Sequence, residues 1–360
     1  MSIEPVAAIL GILLITTVLW DAFETVVLPR RVARRFRLAR LFYRFTWMPW
    51  SVVARRISGN WREAYLSFYG PLSLIFLLMV WAAVLILGFA LLQWGLGSSV
   101  QTSGETTNFG TDIYMSGTTL FTLGIGDVAP QSSLSRAITV IEAGAGFGFL
   151  ALVITYLPVL YQAFSRREVN VSLLDARAGS PPSAVELLRR LDSNESTDSL
   201  GELLREWERW SAELLESHLS YPVLALYRSQ HEHQSWLAAL TTILDVSALV
   251  ISGVGSRSVR TAELTFAMAR HAAVDLSQVF STAPAAPSID RLPSADFARV
   301  VEALRNDSSV ISSEVLEDKL AALRRMYEPH VCALSSYLLM PLPSWLPADG
   351  PDDWQSSPWE

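Results

Sequence analysis

Apolar positions in this chain gather into three long runs in the N-terminal half and break up into helical stripes beyond them. From Pro5 to Leu28 most residues are apolar, enough at about 1.5 Å of rise per residue to cross a hydrocarbon core about 30 Å thick. A second run extends from Pro71, or a little earlier, to about Trp94 without a charge, and a third from about Leu134 to Phe164. Between these two, Asp112 to Phe121 is too short to span and suits a re-entrant helix with Thr111 or Asp112 as its N-cap. After residue 165 the spacing predicts packed helices at about 199–219, 222–252, 257–281, 294–305 and 312–340, with a Pro/Ser linker at Gly179–Ser183 and little strand pattern.

Composition agrees with membrane insertion: of 360 residues 51% are hydrophobic, and the mean hydropathy is +0.30. The net charge of −7 matters less than its distribution. Arg30, Arg31, Arg34, Arg35, Arg37, Arg40 and Arg44 follow the first run, Arg166 and Arg167 close the third, and Gly97 to Ser133 contains no Lys or Arg. The positive-inside rule then predicts an outside N-terminus, three crossings and a cytoplasmic C-terminal region, in a multi-pass protein of the cell (inner) membrane. Residues 1–5 carry no Lys or Arg and the first run lacks a small-residue cleavage pattern, so that run is expected to remain as an anchor. Asp21 and Glu24, close to the arginines, read as structural partners at the interface. Residues 32–62 interleave Arg with aromatic residues, including Trp47, Trp50 and Trp61, which suits anionic lipid at residues 30–62 rather than nucleic acid.

The stretch between the re-entrant segment and the third run reads Thr-Leu-Phe-Thr-Leu-Gly-Ile-Gly-Asp, from Thr119 to Asp127. It resembles the selectivity filter of the prokaryotic potassium channel pore family, Thr-x-x-Thr-x-Gly-Tyr-Gly-Asp, and residues 67–164 resemble that family's two-helix pore module with one re-entrant loop. The fold class expected is thus an all-α membrane protein: three transmembrane helices with a re-entrant pore helix and filter, plus an α-helical cytoplasmic domain. Carried over by position, the resemblance implies potassium ligation by the carbonyls of Thr122, Leu123, Gly124 and Ile125, with the Thr122 hydroxyl at the inner site, and Gly126 permitting the final turn. Thr119 and Asp127 would support the filter, Asp127 by hydrogen bonding to the pore helix or outer turn. A ring of four such loops implies a C4 homotetramer, with potassium as permeant ion and no cofactor. Ile125 replaces the usual tyrosine and lacks its hydroxyl, which leaves the strictness of potassium over sodium selectivity open.

Other candidates belong to the third run. Glu142 either sits behind the filter, bracing amides or pairing with Arg136, or faces the cavity as a cation ring. Gly144, Gly146, Gly148 and Pro158 are candidate hinges, the glycines equally candidates for close helix packing, and Leu157 and Leu160 could form an apolar constriction. The domains expected are 1–29, first transmembrane helix; 30–66, basic and aromatic linker; 67–164, pore module; 165–340, cytoplasmic helices; and 341–360, a disordered tail or docking peptide. Trp236 to Val254 is apolar enough for a fourth span, but Asp245 and its Ser and Thr favour a buried soluble helix.

Catalysis finds no support. His231-Glu232-His233 with His218 lacks helical zinc spacing, Gly253-Val254-Gly255 lacks a dinucleotide fingerprint, and Cys332 stands alone, as a small core residue. Two functional readings remain: a potassium-selective or potassium-preferring channel, its non-selective cation variant included, or a non-conducting membrane-tethered sensor or scaffold. The gating stimulus and any cytoplasmic ligand or partner are not legible, and the spans lack the repeated arginines of a voltage sensor.

Overall fold

The computed structural model describes residues 3–28, 38–97, 100–102, 108–192, 198–230, 234–253, 258–285, 290–304 and 313–347. The protein is an all-α membrane protein in which three helices, Glu4–Val27, Asn60–Gly95 and Ser133–Ala178, are long and apolar enough to cross a membrane. Arg30, Arg31, Arg34, Arg35 and Arg37, the His231-Glu232-His233 cluster and residues 348–360 lie outside the described residues.

In chain order, the first compact unit contains α1 (Ile3–Ala22), a π-helical turn (Phe23–Val27) and α2 (Leu38–Ala54). After α3 (Asn60–Ser67), which groups with the second unit, come α4 (Tyr69–Gly95), β1 (Val100–Thr102), α5 (Phe109–Leu120) and β2 (Val128–Pro130). Then α6 (Ser133–Ala178) runs for 46 residues, well past the expected end at Phe164; the first unit claims it as far as Tyr161.

The core of this unit forms where Val18 and Ala22 of α1, Leu77, Trp81, Leu85 and Phe89 of α4, Leu120 of α5 and Ile138 of α6 meet. Packing of α1 on α4 is close because glycines face it: a Cβ at Gly11 would lie 2.6 Å from the Gly88 carbonyl oxygen. Asp21 lies inside this packing. Its Oδ2 accepts from Ala39 N in the first turn of α2 at 3.0 Å and from Trp81 Nε1 at 3.1 Å, so it holds α2 and α4 to α1. Glu24 accepts from Trp20 Nε1 at 2.7 Å. Both acids thus have structural partners within the packed helices. On α2, Trp47 is buried against Tyr69, with ring centroids 4.7 Å apart, whereas Trp61 is exposed.

The second unit comprises residues 58–67 and 162–360. It contains α3, the remainder of α6, α7 (Ala184–Asp192), α8 (Ser199–Ser220), a 3-10 turn (Pro222–Leu226), α9 (Trp236–Ser252), α10 (Val259–Val279), α11 (Ser294–Ala303), α12 (Ser313–Arg324) and α13 (Glu328–Leu338). Two expected helices are each divided. The stretch 222–252 breaks after Leu226, and Ser235 starts α9 afresh by capping Ala238 N at 3.0 Å; 312–340 breaks at 325–327, with Pro329 in the first turn of α13.

All residues from Trp236 to Val250 are buried, because α9 is the centre of this unit, packed by α7, α8, α10, α12 and α13. Thr241, Thr242 and Ser252 tolerate that burial by donating to carbonyls four residues back. Asp245 does so through Arg291, whose Nη2 is 2.6 Å from Oδ2, and Tyr327, whose hydroxyl donates to Oδ1 at 2.5 Å. Gly253 ends the helix at φ 124°, which accounts for it without a nucleotide loop.

Residues 341–347 correct the expected tail. Trp345 is 1% exposed, its carbonyl accepts from Ser183 Oγ at 2.9 Å, and the guanidinium groups of Arg291 and Arg324 each lie 5.7 Å from its ring. This segment closes over the buried ion-pair network instead of trailing away. Cys332 is half-buried on α13, and burial pushes its thiol up.

Candidate functional site

The re-entrant helix α5 starts three residues earlier than expected. Asn108 is its N-cap: its Oδ1 accepts from Thr111 N at 3.2 Å, and Thr111 Oγ1 accepts from Asn108 N at 3.3 Å. At the other end the chain turns sharply. Thr122 N donates to Thr119 O at 2.9 Å, and Leu123 N and Gly124 N both donate to Thr118 O, at 2.8 and 3.3 Å.

Beyond this turn the backbone alternates in hand. Thr122, Gly124 and Gly126 have φ of 58°, 55° and 84°, whereas Leu123 and Ile125 between them do not enter the positive region. Alternation of this kind turns successive N–H groups to one side and successive carbonyls to the other. The donors of Leu123 and Gly124 are taken up by the Thr118 carbonyl at the end of α5. Glycine tolerates positive φ without penalty; Thr122, β-branched, does not, and its conformation is held by its hydrogen bond and its neighbours. Residues 121–127 are all exposed in the single chain.

This loop is supported from both flanks. Tyr114 of α5 donates its hydroxyl to Asp127 Oδ2 at 2.9 Å. Strands β1 and β2 pair antiparallel with Val100 opposite Pro130, tying the segment after the loop to the outer connection. Arg136 donates through Nε to Pro130 O at 3.1 Å and does not pair with Glu142.

Glu142 is fully buried between α6 and α5. Ser116 Oγ makes a short hydrogen bond with its Oε1 and also lies 2.9 Å from Ile86 O on α4. Glu142 thus meets the re-entrant helix through a serine hydroxyl in place of backbone amides or Arg136. Higher up, Gln93 joins α4 to α6: its Nε2 donates to Ser135 O at 3.2 Å and its Oε1 accepts from Ser135 Oγ at 2.8 Å.

Glycines expected to act alike do not. Any Cβ at Gly146 would run into the backbone carbonyl of Leu120, so this glycine allows α6 to approach the end of α5; Gly144 and Gly148 face open space within the chain. Pro158 lies inside an unbroken helix. Leu157 is exposed but Leu160 is 2% exposed, so Leu160 belongs to packing within the chain and not to a shared constriction. Among the described residues there is no cluster of His, Cys, Asp or Glu able to hold a metal ion.

Residues 72–162 match a family model described as an ion channel. This segment is similar to an ion-channel pore domain. It takes in most of α4, all of α5, the loop from Phe121 to Asp127 and the membrane part of α6. The chain is also 28% identical over 204 residues to the uncharacterized membrane protein YdjJ of Bacillus subtilis (strain 168), a match covering 56% of this chain and 58% of that protein. The match thus spans little more than half of the relative's length. No solved structure matches the sequence.

Residues that sequence reasoning missed are the polar ones that tie the helices around the loop: Gln93, Tyr114 and Ser116. Gln93 carries a readable signal, an amide inside an otherwise uncharged span. Ser116 has none, because a serine in a polar stretch is unremarkable until Glu142 is brought against it.

Proposed function

We propose that the channel conducts potassium as a C4 homotetramer through the loop Thr122 to Gly126. The alternating backbone of this loop carries the reading: Thr122, Gly124 and Gly126 at positive φ, with the amides of Leu123 and Gly124 bonded to α5. Carbonyls of Thr122, Leu123, Gly124 and Ile125, with the Thr122 hydroxyl below them, are oxygen ligands of the type that replaces an ion's hydration shell. Four copies around an axis would complete each ring and cover loop residues that are exposed in one chain. Thr119 through its carbonyl, Asp127 through Tyr114, and Glu142 through Ser116 act as supports rather than ligands.

In this reading the C-terminal helices lie in the cytoplasm and the N-terminus outside, in the inner membrane. Exposed apolar residues on α2, among them Leu41, Phe45, Met48 and Val52, face lipid beside Arg40 and Arg44, a pairing suited to anionic headgroups. Ile125 removes the phenol that would brace the loop, and discrimination against sodium is correspondingly weaker than in loops with tyrosine there.

Purified protein in liposomes tests the reading. Potassium flux blocked by barium, with a reversal potential that follows potassium when sodium is exchanged for it, is expected. Near-equal permeability would select the non-selective cation channel, and absence of flux under every voltage and pH would select the sensor reading.

A further inference from the structure

The helix carrying the inner wall of the pore continues unbroken to Ala178, and Arg167 on this extension is only 4% exposed. Its guanidinium is fully engaged. Nη1 donates to Leu224 O at 2.8 Å and meets His218 Nε2 at 3.3 Å, Nη2 donates to Tyr227 O at 3.0 Å, and Nε donates to Glu168 Oε1 at 2.9 Å. The same group lies 5.1 Å from the Phe164 ring centre, and Phe164 packs on Tyr227 with centroids 5.7 Å apart. His218 Nδ1 is 2.8 Å from Leu214 O, which can only accept; Nδ1 therefore carries the ring proton, and the Nε2 lone pair receives Arg167.

Arg228, next in the chain after Tyr227, reaches α3 of the same unit. Its Nη1 lies 3.6 Å from Glu63 Oε2 on α3, the helix that leads directly into the outer span, and its guanidinium also donates to the carbonyls of Leu338 and, at 3.2 Å, Leu339. Burial brings the Arg228 guanidinium down to about 10, and Glu63 opposes that fall. Two adjacent residues of one short connection, Tyr227 and Arg228, thus hold the extension of α6 and α3.

We propose that the connection 222–228 is the joint at which the helical unit holds α3 and the extension of α6, the two segments continuous in sequence with the pore helices, and that Arg167 is the positioning residue by which this extension sets the inner helix for conduction. The inference rests on the pore reading above and names the place where the pore is regulated. Rotation or sliding of α6 would strip several partners from a buried charge together, so the joint is either made or broken with little in between. Such an element can bias a gate, whereas a surface ion pair would yield continuously.

The test uses the full chain reconstituted in lipid, comparing wild type with Arg167→Gln, Arg167→Lys and Arg228→Gln. Unit conductance and reversal potential are expected to stay at wild-type values, while open probability changes about tenfold or more in Arg167→Gln and less in Arg167→Lys. Hydrogen exchange on the same proteins is expected to quicken at residues 162–178 in Arg167→Gln and at 60–67 in Arg228→Gln, leaving 109–127 unchanged. Open probability within about twofold of wild type in both glutamine variants would overturn the proposal. If the wild-type protein carries no current, the pore reading fails by itself; the joint is then judged by exchange, and unaltered protection at 162–178 and 60–67 overturns it. Should Arg167→Gln fail to fold, Arg228→Gln decides by the same two readouts.

Discussion

Acid should weaken the second unit through one imidazole. His218 is fully buried, with Arg167 on its Nε2 and the Trp236 ring 5.2 Å away. The charged groups facing it are Arg167 and, beyond it, Glu168, both on α6; α9 presents the indole, and the 222–227 turn presents the Leu224 and Tyr227 carbonyls that share Arg167. Burial first, and Arg167 second, push the ring down from 6.5 to about 3. Above pH 6.5 the ring is neutral whether folded or unfolded, and contributes no pH dependence. Between 6.5 and about 3 the unfolded chain takes up a proton that the folded one refuses, so stability falls as pH falls; below 3 both forms are charged and the loss levels off. At pH 5 the loss relative to neutral pH is about 2 kcal/mol. Urea unfolding of the solubilised chain at pH 7.5 and pH 5, followed by tryptophan emission, measures it against His218→Gln, which keeps an acceptor for Arg167 but does not titrate. Carboxylates titrate in both proteins, so the difference between them isolates the imidazole. A wild-type excess loss below about 0.5 kcal/mol would refute the reasoning.

Gly146→Ala should cost about 1–3 kcal/mol in the thermal stability of the first unit, through collision with the Leu120 carbonyl, whereas Gly148→Ala, which meets no atom within 4 Å, should be neutral or slightly stabilising. Glu142→Gln retains an acceptor for Ser116 and should leave unit conductance near wild type in single-channel recordings; a conductance severalfold lower would return Glu142 to the cavity. Asp245→Asn alone should cost about 3–5 kcal/mol by leaving Arg291 short of its partner, and the double variant Asp245→Asn, Arg291→Gln should recover part of it in a double-mutant cycle; additive losses would mean that the pair does not act as a unit.

Periodicity and charge alone determined a great deal about this protein. Three apolar runs, the arginine-free stretch from Gly97 to Ser133 and the glycine spacing of Thr119 to Asp127 are local properties, and burial in lipid imposes them residue by residue. Helix ends were less legible because a cap depends on local geometry: Asn108 serves where Thr111 or Asp112 was expected, and the start of α9 at Ser235 is visible only once the chain breaks after Leu226. What the tertiary structure decided was the partner of each buried polar group. Ser116 for Glu142, Tyr114 for Asp127, Trp81 for Asp21, Arg291 for Asp245 and His218 for Arg167 are separated by 13 to 60 residues. No local pattern encodes such pairs, because either member would be satisfied by any suitable donor or acceptor, and only packing selects the one within reach. In the loop itself the same division holds: the sequence supplied residues able to take alternating hands, and the end of α5 selected which side their amides face.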